Sequence, residues 1–189
     1  SADVINRATA LYNVGQIDEA ARVVENYLQS EPDDAQGLTL LATILKKGKH
    51  LAAAYQLAKR AAEIRPDRPE VWVALGHCAQ QLWRLDESRS AYRKAYQRAQ
   101  NDAQRALYLN NIGSTHLDAG EFAKARPVLE QALELAPTDT MAQHNLGLSL
   151  LAQRDWRNGW QNYAASIGSE ARRVQKYMPA PGEPVWDGT

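Results

Sequence analysis

The stretch Pro66-Asp67-Arg68-Pro69-Glu70-Val71-Trp72-Val73-Ala74-Leu75-Gly76-His77-Cys78-Ala79 decides how the rest of the chain is read. Counted from Pro69, the residues Trp72, Leu75, Gly76 and Ala79 take places four, seven, eight and eleven. At about 100° per residue these fall on one face of a helix. Pro32 stands 34 residues before Pro66, and the columns of that register agree well beyond the prolines. The eighth place reads Ala8, Ala42, Gly76 and, after a three-residue insertion, Gly113 and Gly147. The twentieth reads Ala20, Ala54, Ser88, Ala125 and Gly159, and the twenty-seventh Tyr27, Ala61, Ala95, Ala132 and Ser166. The seventeenth is bulky throughout: Ile17, Leu51, Leu85, Phe122 and Trp156. Five windows follow, at about 1–34, 35–68, 69–105, 106–139 and 140–168.

Columns of small residues have a physical cause, because closely crossing helices leave no room at the contact for more than a methyl group. The second half of a window, for example Phe122, Ala125, Leu129, Ala132 and Leu133, repeats the helical spacing after a break at Ala119-Gly120-Glu121. Each window is therefore an antiparallel helix pair. Gly15, Gly48 and Gly120 are expected to supply a left-handed residue at the break, and Pro32, Pro66 and Pro137 to end the second helix. Window three carries Gln100 in place of the proline, which predicts a second helix lengthened by about one turn through Ala103. Gln104 reads as a surface position. No alternation with period two occurs, so the expected fold is all-α without a sheet. A short capping helix is expected over 169–178, followed by an extended proline-rich linker, 179–189, leading to a further domain.

The totals restrict the functional classes. The 189 residues carry 22 Lys and Arg against 22 Asp and Glu, a net charge of zero that gives no general attraction for nucleic acid or anionic lipid. The lone Cys78 cannot form an internal disulfide, which fits a cytoplasmic setting. The longest apolar runs, Leu51 to Tyr55 and Val71 to Leu75, are five residues each, and a membrane helix needs roughly 20. Neither an anchor nor a signal peptide is read. No phosphate loop, nucleophile elbow or His-Glu-x-x-His is present, so the expectation is no metal, no cofactor and no enzyme activity in this chain. Cys78 reads as a buried small residue, His116 as a core histidine, and Trp72, Trp156, Trp160 and Tyr163 as packing residues. Arg172, Arg173 and Lys176 form a basic cluster, a weak phosphate site at best.

Trp72, Leu75-Gly76, Ala20, Phe122, Ala125, Ala132 and the prolines at 32, 66 and 137 closely resemble the tetratricopeptide repeat family over Ala2 to about Ile167. Arg7 and Tyr27 depart from its pattern, which suits an end repeat with no neighbour on one side. The resemblance implies a right-handed superhelical solenoid of helix pairs whose first helices line a concave groove. On helical spacing, the face opposite the apolar stripe carries Thr9, Tyr12 and Asn13; Thr39, Thr43, Lys46 and Lys47; His77 and Gln80; and Asn110 and Ser114, with Asn111 and Asn145 at the groove margin. Mostly uncharged groups that both donate and accept suit the backbone of an extended peptide. They equally suit a solvated face. Asn6, Asn111 and Asn145 resemble, incompletely, the asparagine ladder of the O-linked N-acetylglucosamine transferase superhelix. The chaperone-tail clamp is missing, since Ile5 and Thr9 occupy its places.

Trp156-Arg157-Asn158-Gly159-Trp160-Gln161-Asn162-Tyr163, followed by Trp186-Asp187-Gly188, resembles the junction of bacterial and phage proteins in which such repeats precede a glycosyltransferase-like domain. The expected function is a protein-interaction scaffold within such a protein. The alternative is a free-standing adaptor or a self-associating assembly scaffold. In either case the partner is a protein or peptide, or a second copy of the chain, and neither nucleic acid nor membrane.

Overall fold

The computed structural model describes residues 2–165. Within them lie ten helices and no strand: α1 (Ala2–Asn13), α2 (Ile17–Ser30), α3 (Ala35–Lys47), α4 (Leu51–Ile64), α5 (Pro69–Gln81), α6 (Leu85–Tyr96), α7 (Asp102–Asp118), α8 (Phe122–Leu135), α9 (Thr140–Ala152) and α10 (Trp156–Ala165). The fold is all-α, of the repeat-solenoid class. The expected capping helix, the proline-rich segment and the Arg172, Arg173 and Lys176 cluster lie outside the described residues.

The chain divides into two compact units between Ala99 and Gln100. In the first, α1 pairs with α2, α3 with α4 and α5 with α6; α2 packs on α3 and α4 on α5, and the first helices α1, α3 and α5 lie side by side. In the second, α7 pairs with α8 and α9 with α10, while α8 packs on α9 and α7 lies beside α9.

The small columns are where each pair closes. Ala8, Ala42, Ala20, Ala54, Ser88 and Ala125 are all completely buried. The size at place eight answers the size at place twenty-four of the same pair. Ala8 shares a core cluster with Val24, and Ala42 with Ala58. Where place twenty-four is large, place eight is glycine. A Cβ on Gly76 would lie 2.5 Å from Cε1 of Tyr92, one on Gly113 2.5 Å from Cδ2 of Leu129, and one on Gly147 2.7 Å from the backbone nitrogen of Tyr163. Ser88 adds a buried hydrogen bond across the third pair, its Oγ donating to the Gly76 carbonyl at 2.9 Å. Tyr27 follows the same rule and not the end-repeat freedom expected for it. Its ring lies against Gly37, where a Cβ would come within 3.2 Å of Cε1, and its hydroxyl donates to Asp34 Oδ2 at 2.7 Å.

All five breaks within the pairs share one geometry. The N–H of His50 donates to the Leu45 carbonyl and that of Lys49 to Lys46, and the same two bonds recur at Gln16 and Gly15, Arg84 and Trp83, Glu121 and Gly120, and Asp155 and Arg154. This is the Schellman arrangement, which requires a left-handed residue. Gly15 and Gly120 fill that place with φ of 85° and 70°. Gly48 does not, contrary to expectation: it has φ −74°, and Lys49, Trp83 and Arg154 are left-handed at 67°, 58° and 64°. The register of the hydrogen bonds, not glycine, sets the turn.

The insertion before window four also falls elsewhere than expected. α6 ends at Tyr96, and the extra turn lengthens α7, which spans 17 residues. Asn101 caps α7, its Oδ1 accepting from the Gln104 N–H at 2.9 Å, while Gln104 Oε1 accepts from the Gln100 N–H at 2.8 Å. Gln104 is thus part of a cap, not a neutral surface residue. An asparagine followed three places later by glutamine was the legible signal. Trp156 and Trp160 are exposed on α10 and not core residues, whereas Cys78 is buried as expected.

Gly113→Ala should destabilise the second unit by about 1–3 kcal/mol by urea unfolding. Leu129→Val, which copies the natural Ala8 and Val24 pairing, should recover part of that loss when combined with it. Additive effects would contradict a direct contact between the two places.

Candidate functional site

The first helices of the first unit enclose an open cleft of about 650 Å³. Its floor is Ile5 and Thr9 from α1 and Gln36, Thr39, Leu40 and Thr43 from α3, with Glu70 and Val71 from α5 at one side. The inter-repeat loops add Asp33, Asp34, Ile64, Arg65 and Arg68. Three of the sequence-predicted residues, Thr9, Thr39 and Thr43, therefore share one cavity. Their hydroxyls are already engaged as donors. Thr9 Oγ1 donates to the Ile5 carbonyl at 2.8 Å, Thr39 to Ala35 at 2.6 Å and Thr43 to Thr39 at 2.9 Å. What they retain is acceptor capacity, so this wall suits N–H groups and not donors and acceptors alike.

The loop wall was not anticipated from helical spacing, because those residues sit outside any periodic stripe. Most of its charges are satisfied internally. Arg60 pairs with Asp33 at 2.6 Å, Arg65 with Asp67 at 2.8 Å, and Asp34 caps α3 through the Gln36 N–H at 3.1 Å. Arg68 and Glu70 carry no ion pair among the described residues.

Tyr12, Asn13, Lys46, Lys47, His77 and Gln80 occupy the opposite ends of the same helices. Lys47 Nζ lies 4.7 Å from the centre of the Tyr12 ring, a cation–π contact between α3 and α1. His77 stands edge-on to Tyr92 at 5.5 Å, and the Tyr92 hydroxyl donates to Gln80 Oε1 at 3.1 Å. The fully buried Tyr92, admitted by Gly76, thus orients two of the predicted residues from below. Burial, with Lys46 nearby, pulls the His77 pKa down to about 4, and burial pushes the Cys78 thiol up to about 11. Burial also lowers the pKa of Lys46.

In the second unit Asn110 departs from the free, solvated role expected of it. It is 4% exposed, and Asn145 Nδ2 donates to its Oδ1 at 2.8 Å, tying α9 to α7. Asn111 Nδ2 is buried without a partner, while Ser114 is half-buried. The same helix faces expose Leu107, Met141 and Leu148. Leu107 and Leu148 lie on the α7 and α9 faces that helical spacing assigns to the groove, so that face carries exposed apolar area besides its polar groups. The core histidine is as expected: His116 is buried, with Nδ1 2.7 Å from Glu121 Oε2. No group of three or more His, Cys, Asp or Glu side chains that could hold a metal occurs among the described residues.

Two tetratricopeptide repeat family models match the chain, over residues 67–138 and 110–180. The chain is built of tetratricopeptide repeats. A model of anaphase-promoting complex, cyclosome, subunit 3 matches 13–95. Among curated proteins, mouse protein O-mannosyl-transferase TMTC1 is 27% identical over 143 residues, 74% of this chain but 15% of that protein. The chain thus spans under a fifth of that relative's length. Among solved structures, Pseudomonas aeruginosa PilF superposes with a TM-score of 0.77 at 18% identity, covering 87% of this chain and 73% of that one. YrrB, described as a tetratricopeptide protein with an unusual peptide-binding site, does so at 0.65 and 15%, covering 88% and 84%. These likenesses bear on fold. Tetratricopeptide repeats are a non-catalytic scaffold family, in keeping with the expectation that this chain is not an enzyme. No helix among the described residues is long and apolar enough to cross a membrane.

Two outcomes follow for this face. Asn110→Ala removes a buried hydrogen bond and should cost about 1–2 kcal/mol by urea unfolding, with most of the loss shared in a cycle with Asn145→Ala. The His77 pKa of about 4 lies below the ordinary value near 6.5, so the unfolded chain takes up its proton first as pH falls. His77 should therefore contribute full stability above about pH 6.5 and lose on the order of 2 kcal/mol of it by about pH 4.5. His77→Gln should flatten that part of the stability profile, read from urea midpoints at both pH values.

Proposed function

We propose that this chain is the protein-interaction part of a larger protein and that its first unit binds an extended polypeptide across α1, α3 and α5. The observation that carries this reading is the open cleft in which Thr9, Thr39 and Thr43 present unused acceptors beside the uncommitted side-chain amide of Gln36. An extended strand offers N–H groups at regular spacing whatever its sequence, and such a wall receives them. The peptide-binding site named for YrrB, a structural neighbour, supports the same use of the fold. The transferase named among the relatives supports a glycosyltransferase-like protein as the larger context, as does the Trp-x-x-Gly-Trp-x-x-Tyr segment at 156–163.

A scaffold in a multisubunit assembly is the second reading. The exposed Leu107, Met141 and Leu148 favour it, as does the family model named for an anaphase-promoting complex subunit.

The test is selection of random ten-residue peptides against the full chain, followed by affinity measurement on variants. Thr39→Val with Thr43→Val keeps shape and removes two acceptors, and should weaken binding about tenfold with unchanged helicity. Gln56→Ala, on the outer face of α4, should leave it unchanged. Equal binding by all three proteins would place the peptide elsewhere.

A further inference from the structure

Within each unit, place twenty-one of one repeat faces place sixteen of the next. Between the second and third repeats the Arg84 guanidinium lies 4.7 Å from the centre of the Tyr55 ring, and the Tyr55 hydroxyl donates to Glu87 Oε2 at 2.6 Å. Between the fourth and fifth, Arg126 reaches Asp155 at 3.8 Å. The same two places between the first and second repeats are Ala21 and His50, and there a cavity of about 290 Å³ remains. A methyl group stands where the next junction has a phenol. The floor is apolar, made by Ile17, Ile44 and Leu45, and Asp18, Arg22 and Glu25 stand exposed at the edge. Neither they nor His50 enter an ion pair or a side-chain hydrogen bond among the described residues. None of these residues lines the cleft between α1, α3 and α5.

We propose that this cavity is a docking site for a tyrosine side chain presented by a partner protein, separate from the groove and independent of what the groove binds. The molecule itself shows what the place accepts: one repeat further on, a phenol buries its ring there, lies beside a guanidinium and gives its hydroxyl to a carboxylate. Between the first two repeats the ring is missing and its counterparts are present. Ile17, Ile44 and Leu45 offer the apolar contact, and the Arg22 guanidinium is free to lie against a ring face. Asp18 and Glu25 are acceptors without a donor, so the rim is complementary to a ring that donates and selects tyrosine over phenylalanine. Pockets that enclose whole small molecules run from about 300 to 1,000 Å³. This one falls just short and opens at its charged edge, which suits a single ring carried on a chain that stays outside. Protein interfaces concentrate binding energy in aromatic anchors seated this way.

The experiment titrates the full ¹⁵N-labelled chain with N-acetyltyrosine amide and N-acetylphenylalanine amide, which carry the two side chains without a chain-end charge, and follows the backbone amide signals. The tyrosine amide should shift the signals of Ile17 to Glu25 and Leu45 to His50, with an affinity in the millimolar range and about fivefold above that of the phenylalanine amide. Asp18→Asn with Glu25→Gln should bring the two amides to equal affinity while leaving phenylalanine amide binding and helicity unchanged. Ala21→Tyr, which copies Tyr55, should remove the binding of both without lowering the urea midpoint, because its ring enters space that is already empty. Thr39→Val with Thr43→Val should change nothing, which keeps this result distinct from the fate of the groove reading. Shifts that persist in Ala21→Tyr, or that centre on Thr39 and Thr43, overturn the inference. So do equal affinities on the unmodified chain, and so does the absence of shifts at about 20 mM of either amide. Should Ala21→Tyr fail to fold, the rim variant decides: a tyrosine preference that survives the loss of both carboxylates overturns the assignment.

Discussion

Everything in this structure hangs on how closely the two helices of a pair approach. At place eight the first helix meets the second with no room for more than a methyl group, and in three pairs with no room even for that. The volume removed there is returned at place twenty-four in the third and fourth pairs: valine and alanine stand opposite Ala8 and Ala42, the Tyr92 and Leu129 side chains fill the space at Gly76 and Gly113, and at Gly147 the backbone of α10 itself closes in. Protein interiors pack at nearly constant density, so a methyl lost on one helix is recovered as a ring or a branched chain on its partner. Conserving the sum and not the residue lets one chain carry five different versions of one contact.

That constraint reaches the candidate site directly. Gly76 admits the Tyr92 ring, the ring fixes His77 edge-on, and its hydroxyl engages Gln80. Neither His77 nor Gln80 owes its position to its own neighbours in sequence. The threonines of the cleft are instead positioned by their own helices, each hydroxyl closing on a carbonyl one turn back. The face thus combines groups set by local backbone geometry with groups set by packing from beneath. Only the second kind would shift if the core were altered.

The recurring turn makes a related point about glycine. Five Schellman turns share two hydrogen bonds, yet glycine occupies the left-handed place in two of them. A left-handed lysine, tryptophan or arginine costs on the order of 1 kcal/mol, and two backbone hydrogen bonds with the flanking helix contacts offset it. Gly48, one residue early, shows why composition near a break is a weaker guide than the register of the bonds.

The helix pairs, their number and the identity of the small columns were legible in the sequence, because a helical face and a close crossing each impose a periodic demand that Ala8, Ala42 and Gly76 answer every 34 residues. The lengthened α7 was also written there, in Asn101 and Gln104, but as a local cap that a search for period alone passes over. Other features arose only from tertiary contact. Asn110 belongs to the outward face by spacing and is nonetheless buried, because Asn145 arrives from α9 to cover it. Lys46 and Lys47 are indistinguishable in sequence and differ in structure, because Lys47 lies exposed over the Tyr12 ring while Lys46 is half-buried. Spacing along a chain determines which side of a helix a residue occupies; what stands opposite that side is contributed by other helices, and only folding brings them there.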